Sequence, residues 1–62
     1  MPIVQIELIE GRTVEQKRAL VKEVTDAIVR TLGVQPEAVR IILRDMKKEN
    51  FAVAGTLRLD QK

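Results

Sequence analysis

Cysteine and histidine are both missing from this chain of 62 residues. Their absence excludes disulfides, thiolate metal clusters and histidine-ligated zinc, and no metal site is expected from the scattered carboxylates. Serine is missing as well, so neither a serine triad nor a Cys/His nucleophile pair exists. The groups left for chemistry are Asp, Glu, Lys, Arg, Thr and the terminal amine. A single Phe is the only aromatic residue, which leaves no stacking platform for single-stranded nucleic acid. No apolar run approaches membrane-spanning length, and no signal-type apolar stretch follows a basic start. The expectation is a soluble, cytoplasmic protein with neither a nucleic-acid nor a membrane partner.

What is present is charge and aliphatic bulk. Eleven basic and nine acidic residues are interleaved along the chain, for a formal net charge of +2. No linker, repeat or low-complexity stretch divides the sequence, so residues 1–62 read as one domain. For a chain of 7.0 kDa, compact folding removes roughly 6,000 Å² of surface. At about 25 cal/mol/Å² on the apolar part, this contributes on the order of 90 kcal/mol, close to an ordering cost of ~1.5 kcal/mol per residue. The margin is near zero. With disulfides and metals excluded, association with further copies is the remaining source of stability.

Hydrophobic patterning predicts a β-α-β unit. Residues 2–9 are rich in β-branched side chains and alternate, with Val4, Ile6 and Leu8 on one face and Ile3, Gln5, Glu7 and Ile9 on the other. Glu10-Gly11-Arg12 breaks the strand. A helix is expected over 13–32: Thr13 and Gln16 form a capping-box pattern, and Glu15 suits the first turn. Leu20, Val24, Ala27, Ile28 and Leu32 recur at helical spacing with Val21 on the flank, Asp26 and Arg30 are spaced as an i,i+4 pair, and Gly33 is placed to end the helix. Pro36 can open one helical turn in the connector. A second strand follows over 39–46, with Val39, Ile41 and Leu43 opposite Arg40, Ile42, Arg44 and Met46. Residues 51–59 alternate around Gly55 as a short hairpin or arm. The fold class is α/β (α+β), with parallel strands joined through the helix. One helix covers one sheet face, so the face with Ile3, Ile9, Ile42 and Met46 calls for a partner chain.

Four positions are candidates for chemistry. Pro2 is most simply a strand-opening proline whose missing N–H costs nothing. If Met1 is removed, however, it becomes a terminal secondary amine, and burial or nearby cations bring such an amine toward a neutral-pH base. Arg12, just before the helix, is an ordinary surface arginine or a bidentate carboxylate clamp. Arg40 is an interface ion pair, with Glu7 or Asp45, or a second anion-binding group. Phe51 is a packing residue or the apolar wall of a pocket. The remaining lysines and arginines of the helix and the 47–50 turn read as solvated charges, and the three glycines are too far apart for a phosphate-cradling loop.

The combination of a Met-Pro-Ile start, the Glu10-Gly11-Arg12 turn, Glu-Gln-Lys-Arg at 15–18, Arg40 in the second strand and Phe51 to Gly55 resembles the 4-oxalocrotonate tautomerase family over essentially the whole chain. The resemblance implies a hexamer, a trimer of dimers, in which two β-α-β units join their sheets. It implies an isomerase that interconverts enol and keto forms of 2-hydroxymuconate-like acids, often within aromatic-hydrocarbon catabolism. Pro2 would be the general base, while Arg12 and Arg40 from neighbouring subunits hold carboxylates and the carbonyl oxygen. Phe51 and Ile9 would contribute to substrate binding, and no cofactor is called for. Ile9 and Val53 occupy positions where dehalogenating relatives carry an arginine and a water-activating glutamate, which favours simple tautomerisation over hydrolytic dehalogenation. Two readings compete with this one. The first is a non-catalytic assembly or interaction protein of the same fold; the second is a ribbon-helix-helix DNA-binding dimer, which would need a second helix over 39–46.

Overall fold

The structure is a computed structural model, and it describes residues 1–61. Strand β1 (Ile3–Ile9) leads through the Glu10–Arg12 turn to helix α1 (Val14–Leu32), and the chain then returns through a 3-10 turn at Pro36–Ala38 to strand β2 (Arg40–Met46). The two strands are parallel, pairing Ile3 with Arg40, Ile6 with Leu43 and Ile9 with Met46. A strand thus occupies the segment that a ribbon-helix-helix protein would need as its second helix, and that reading is withdrawn.

The helix forms where capping signals frame it. Thr13 Oγ1 accepts the Gln16 N–H at 3.1 Å, and Gln16 Oε1 accepts the Thr13 N–H at 2.9 Å, a complete capping box. At the other end Gly33 adopts φ 69° and ψ 31°, and its N–H reaches the Val29 carbonyl at 3.0 Å. Two details depart from the sequence expectation. Asp26 pairs with Lys22 at 2.8 Å rather than with Arg30, because the two i,i+4 neighbours compete for one carboxylate. Leu32, expected on the buried stripe, is 63% exposed; as the last helical residue it ends the element where little is left to cover it.

Strand register sorts the sheet into two faces. Val4, Ile6, Leu8, Ile41 and Leu43 are half-buried, as are Leu20, Val24, Ala27 and Ile28 of α1. Asp45 lies on the same sheet face, and Lys17 of α1 reaches across to its carboxylate. Among the described residues no element covers the opposite face. There Arg44 Nη1 donates to Glu7 at 2.8 Å and to Gln5 at 3.2 Å.

Beyond β2, a 3-10 turn at Lys48–Asn50 leads into a small antiparallel hairpin, β3 (Ala52–Val53) and β4 (Thr56–Leu57), which ends in a last 3-10 turn at Arg58–Asp60. The linking residues Ala54 and Gly55 have φ of 53° and 82°. Two successive positive φ values mark a hairpin turn whose twist matches its strands. The arm closes on itself through the Arg58 N–H to the Phe51 carbonyl at 2.7 Å. Phe51, Val53, Leu57 and Leu59 on it are all exposed.

Overall dimensions bear out the shortage expected from chain length. Among the described residues no side chain is fully buried. The accessible surface is 4961 Å², whereas a compact monomer of this mass exposes about 4,000 Å². The radius of gyration is 14.7 Å, against about 10–11 Å for a compact chain of this length.

Candidate active site

Parallel pairing brings two of the candidate residues together. Pro2 immediately precedes β1, and Arg40 opens β2; the Arg40 N–H donates to the Pro2 carbonyl at 3.0 Å. Pro2 is half-buried and Arg40 is exposed. Arg40 side chain lies on the face of the sheet that α1 leaves open, as the register with Ile3 requires. Its expected ion-pair partners are engaged elsewhere, Glu7 with Arg44 and Asp45 with Lys17. The Arg40 guanidinium is instead held by a neutral group, donating from Nη1 to the Glu37 carbonyl at 2.9 Å. Among the described residues no carboxylate pairs with Arg40, which leaves its positive charge available to an anion.

The other candidates lie at the far end of the same sheet. Ile9 ends β1, in register with Met46. Arg12 follows in the turn that Gly11 makes possible: at φ 119° the backbone adopts a conformation L side chains rarely take. The turn is fixed on one side by the Glu10 N–H to the Met46 carbonyl at 2.8 Å, and on the other by the capping box of α1. Arg12 is exposed and has no ion-pair partner among the described residues. Phe51, 40% exposed, stands at the base of the arm beyond β2.

Seven residues of extended strand therefore separate the two groups, on the order of 20 Å at ~3.3 Å per residue. Pro2 and Arg40 share one end; Ile9, Arg12 and Phe51 belong to the other. A single small acid cannot touch both ends of one chain. The five residues can serve one ligand only if different copies supply them. The sequence alone could not show this separation, nor the neutral anchor on Arg40. The cue for that anchor was the spacing of Arg40 three residues after Glu37, at the close of a proline-initiated turn.

Residues 2–60 match the family described as tautomerase enzyme. A probable tautomerase of Halalkalibacterium halodurans is 46% identical over 61 residues, covering 98% of this chain and all of that protein. Among solved structures, a 4-oxalocrotonate tautomerase isozyme from Methylibium petroleiphilum is 52% identical with a TM-score of 0.91, covering 94% of this chain and 91% of that one. A heterohexamer 4-oxalocrotonate tautomerase from Chloroflexus aurantiacus is 26% identical with a TM-score of 0.93, covering the whole of both chains.

Proposed function

The chain belongs to the tautomerase family, and from that premise we propose that it interconverts enol and keto forms of 2-hydroxymuconate-like acids, with the amine of Pro2 as the general base. While Met1 is attached, the Pro2 nitrogen is an amide and has no basic lone pair. Removal of Met1 turns it into a secondary amine. That amine accepts a proton from the enol substrate, and the resulting ammonium returns it to a carbon of the same molecule, so no net proton is consumed. Arg12 and Arg40 bind the substrate carboxylates and the carbonyl oxygen on which negative charge grows. Phe51 and Ile9 supply apolar surface against the substrate. Neighbouring guanidinium groups penalise the ammonium form and so lower the amine's pKa.

The observation that carries the reading is the tautomerase match over residues 2–60, which includes Pro2, Arg12, Arg40 and Phe51. The distant placement of Arg12 and Phe51 supports the further reading that a homohexamer, a trimer of dimers, completes each site. Its uncovered sheet face and self-contained arm are what such an assembly would cover. A non-catalytic assembly protein is the less favoured reading, because the curated relatives are probable tautomerases.

The test is ketonisation of 2-hydroxymuconate, followed by ultraviolet absorbance, using protein shown by intact mass to lack Met1. Pro2→Ala should lower kcat by about 10²- to 10⁴-fold, the usual contribution of a positioned base. Full activity in that variant would remove Pro2 from the role.

A further inference from the structure

The Arg40 main chain and side chain are held by two different partners, and the combination is informative. In a 3-10 turn the N–H of residue i+3 satisfies the carbonyl of residue i. Within Pro36–Ala38 this pattern holds twice, with the Ala38 N–H on the Gln35 carbonyl at 2.9 Å and the Val39 N–H on the Pro36 carbonyl at 3.1 Å. The next donor in the series would be the Arg40 N–H on the Glu37 carbonyl. It is committed instead to the Pro2 carbonyl at 3.0 Å. The Glu37 carbonyl is satisfied by the guanidinium of the same residue, Nη1 donating at 2.9 Å. Arg40 thus caps the turn with its side chain because its backbone has left for the sheet.

A guanidinium carries five N–H donors in a rigid plane, and this bond uses one. The remaining four are left for a carboxylate, and the bond to the carbonyl restrains the direction from which they are presented. Glu37 presents that carbonyl only while the turn keeps its shape. Pro36 locks φ at the first position of the turn, where its missing N–H costs nothing. Its ring is exposed, so its contribution is conformational rather than through packing.

We propose that the Pro36–Ala38 turn is a positioning device for substrate binding, with Pro36 and the Glu37 carbonyl orienting the Arg40 guanidinium toward a substrate carboxylate. The proposal rests on the reading of Arg40 as an anion-binding group. Both residues act through Arg40 and neither touches substrate.

The experiment is steady-state kinetics with 2-hydroxymuconate on Pro36→Gly, Arg40→Ala and the double variant. Pro36→Gly should raise KM about five- to tenfold with kcat within about twofold, as expected when a clamp is loosened and the base is left in place. In the Arg40→Ala background the same substitution should change KM no further. Pro36→Ala, which keeps the helical φ accessible, should raise KM less than glycine does, and it provides the measurement should the glycine variant fail to fold. A lowered Tm with unchanged KM in the Pro36 variants overturns the proposal, as does an additive KM effect in the Arg40→Ala background. If Arg40→Ala itself leaves KM and kcat unaltered, the anion-binding role of Arg40 falls and the proposal with it. If Arg40→Ala is impaired while the Pro36 variants match wild type, the positioning role alone fails.

Discussion

At the scale of single residues, each site candidate has unused chemical capacity. Among the described residues no carboxylate answers the charge of Arg12, and the Arg40 guanidinium is engaged only by a carbonyl. On the proposed reading Arg40 binds a substrate carboxylate, so Arg40→Ala should raise KM for 2-hydroxymuconate. Steady-state kinetics check it; an unchanged KM would remove Arg40 from substrate binding. Ala54 illustrates the opposite situation, a residue at odds with its backbone. Holding a Cβ at φ 53° costs about 1–2 kcal/mol. Asparagine tolerates this region and forms an Asn-Gly turn with Gly55, so Ala54→Asn should raise the thermal midpoint at fixed protein concentration by the equivalent of about 0.5–1 kcal/mol. The identities of these residues were plain in the sequence, but their partners were not. Glu7 and Arg44 share the open face of the sheet while Asp45 lies on the helix face, and it is the register, which sets Glu7 opposite Arg44, that decides who pairs with whom.

At the scale of elements, the helix reads most directly, because its signals are local. Thr13 and Gln16 specify its start through side chain–backbone hydrogen bonds spanning three residues, and Gly33 its end through a backbone bond spanning four. Thr13→Ala should cost about 1 kcal/mol of stability, measured as a lower urea midpoint with unchanged slope. The ion pairs of the exposed face count for little. Lys22 is held above the ordinary lysine range by its hydrogen bond to Asp26 and by the charge of that carboxylate. A raised pKa contributes fully below the unfolded value and is lost as pH climbs through the folded one, so whatever the pair contributes is present at neutral pH and disappears only in alkaline solution. Because both side chains are exposed, that contribution is small, and Lys22→Gln should lower the thermal midpoint at neutral pH only slightly. The Glu10–Arg12 turn matters more, since only glycine is at ease at φ 119°. Gly11→Ala is expected to destabilise by about 1–3 kcal/mol and to disturb the aim of Arg12, with KM as the readout.

For the whole molecule, alternation and composition were enough to anticipate the parallel β-α-β unit, the uncovered sheet face and the arm. The separation of the site into two ends was harder to see, because it depends on where a seven-residue strand places its termini and on nothing in the local pattern. The elongated shape, 43 Å by 24 Å by 14 Å, gives the same message in dimensions. Subunit mixing offers the most direct test. Pro2→Ala and Arg12→Ala proteins, each inactive alone, should regain activity when unfolded together and refolded at equal concentrations. If each site draws these residues from two chains, about one quarter of the sites recover both. No recovery in verified mixed oligomers would mean that one chain supplies both residues.

The length of β1 also bears on what gene duplication makes available. On the proposed roles, each copy of such a pair can decay at the opposite end of the strand, one losing Pro2 and the other Arg12. Sites built across the two products would keep turning over. Each gene would then be indispensable although neither encodes a complete enzyme. Mutual dependence of this kind requires no new contact and no gain of activity, only two harmless losses about 20 Å apart.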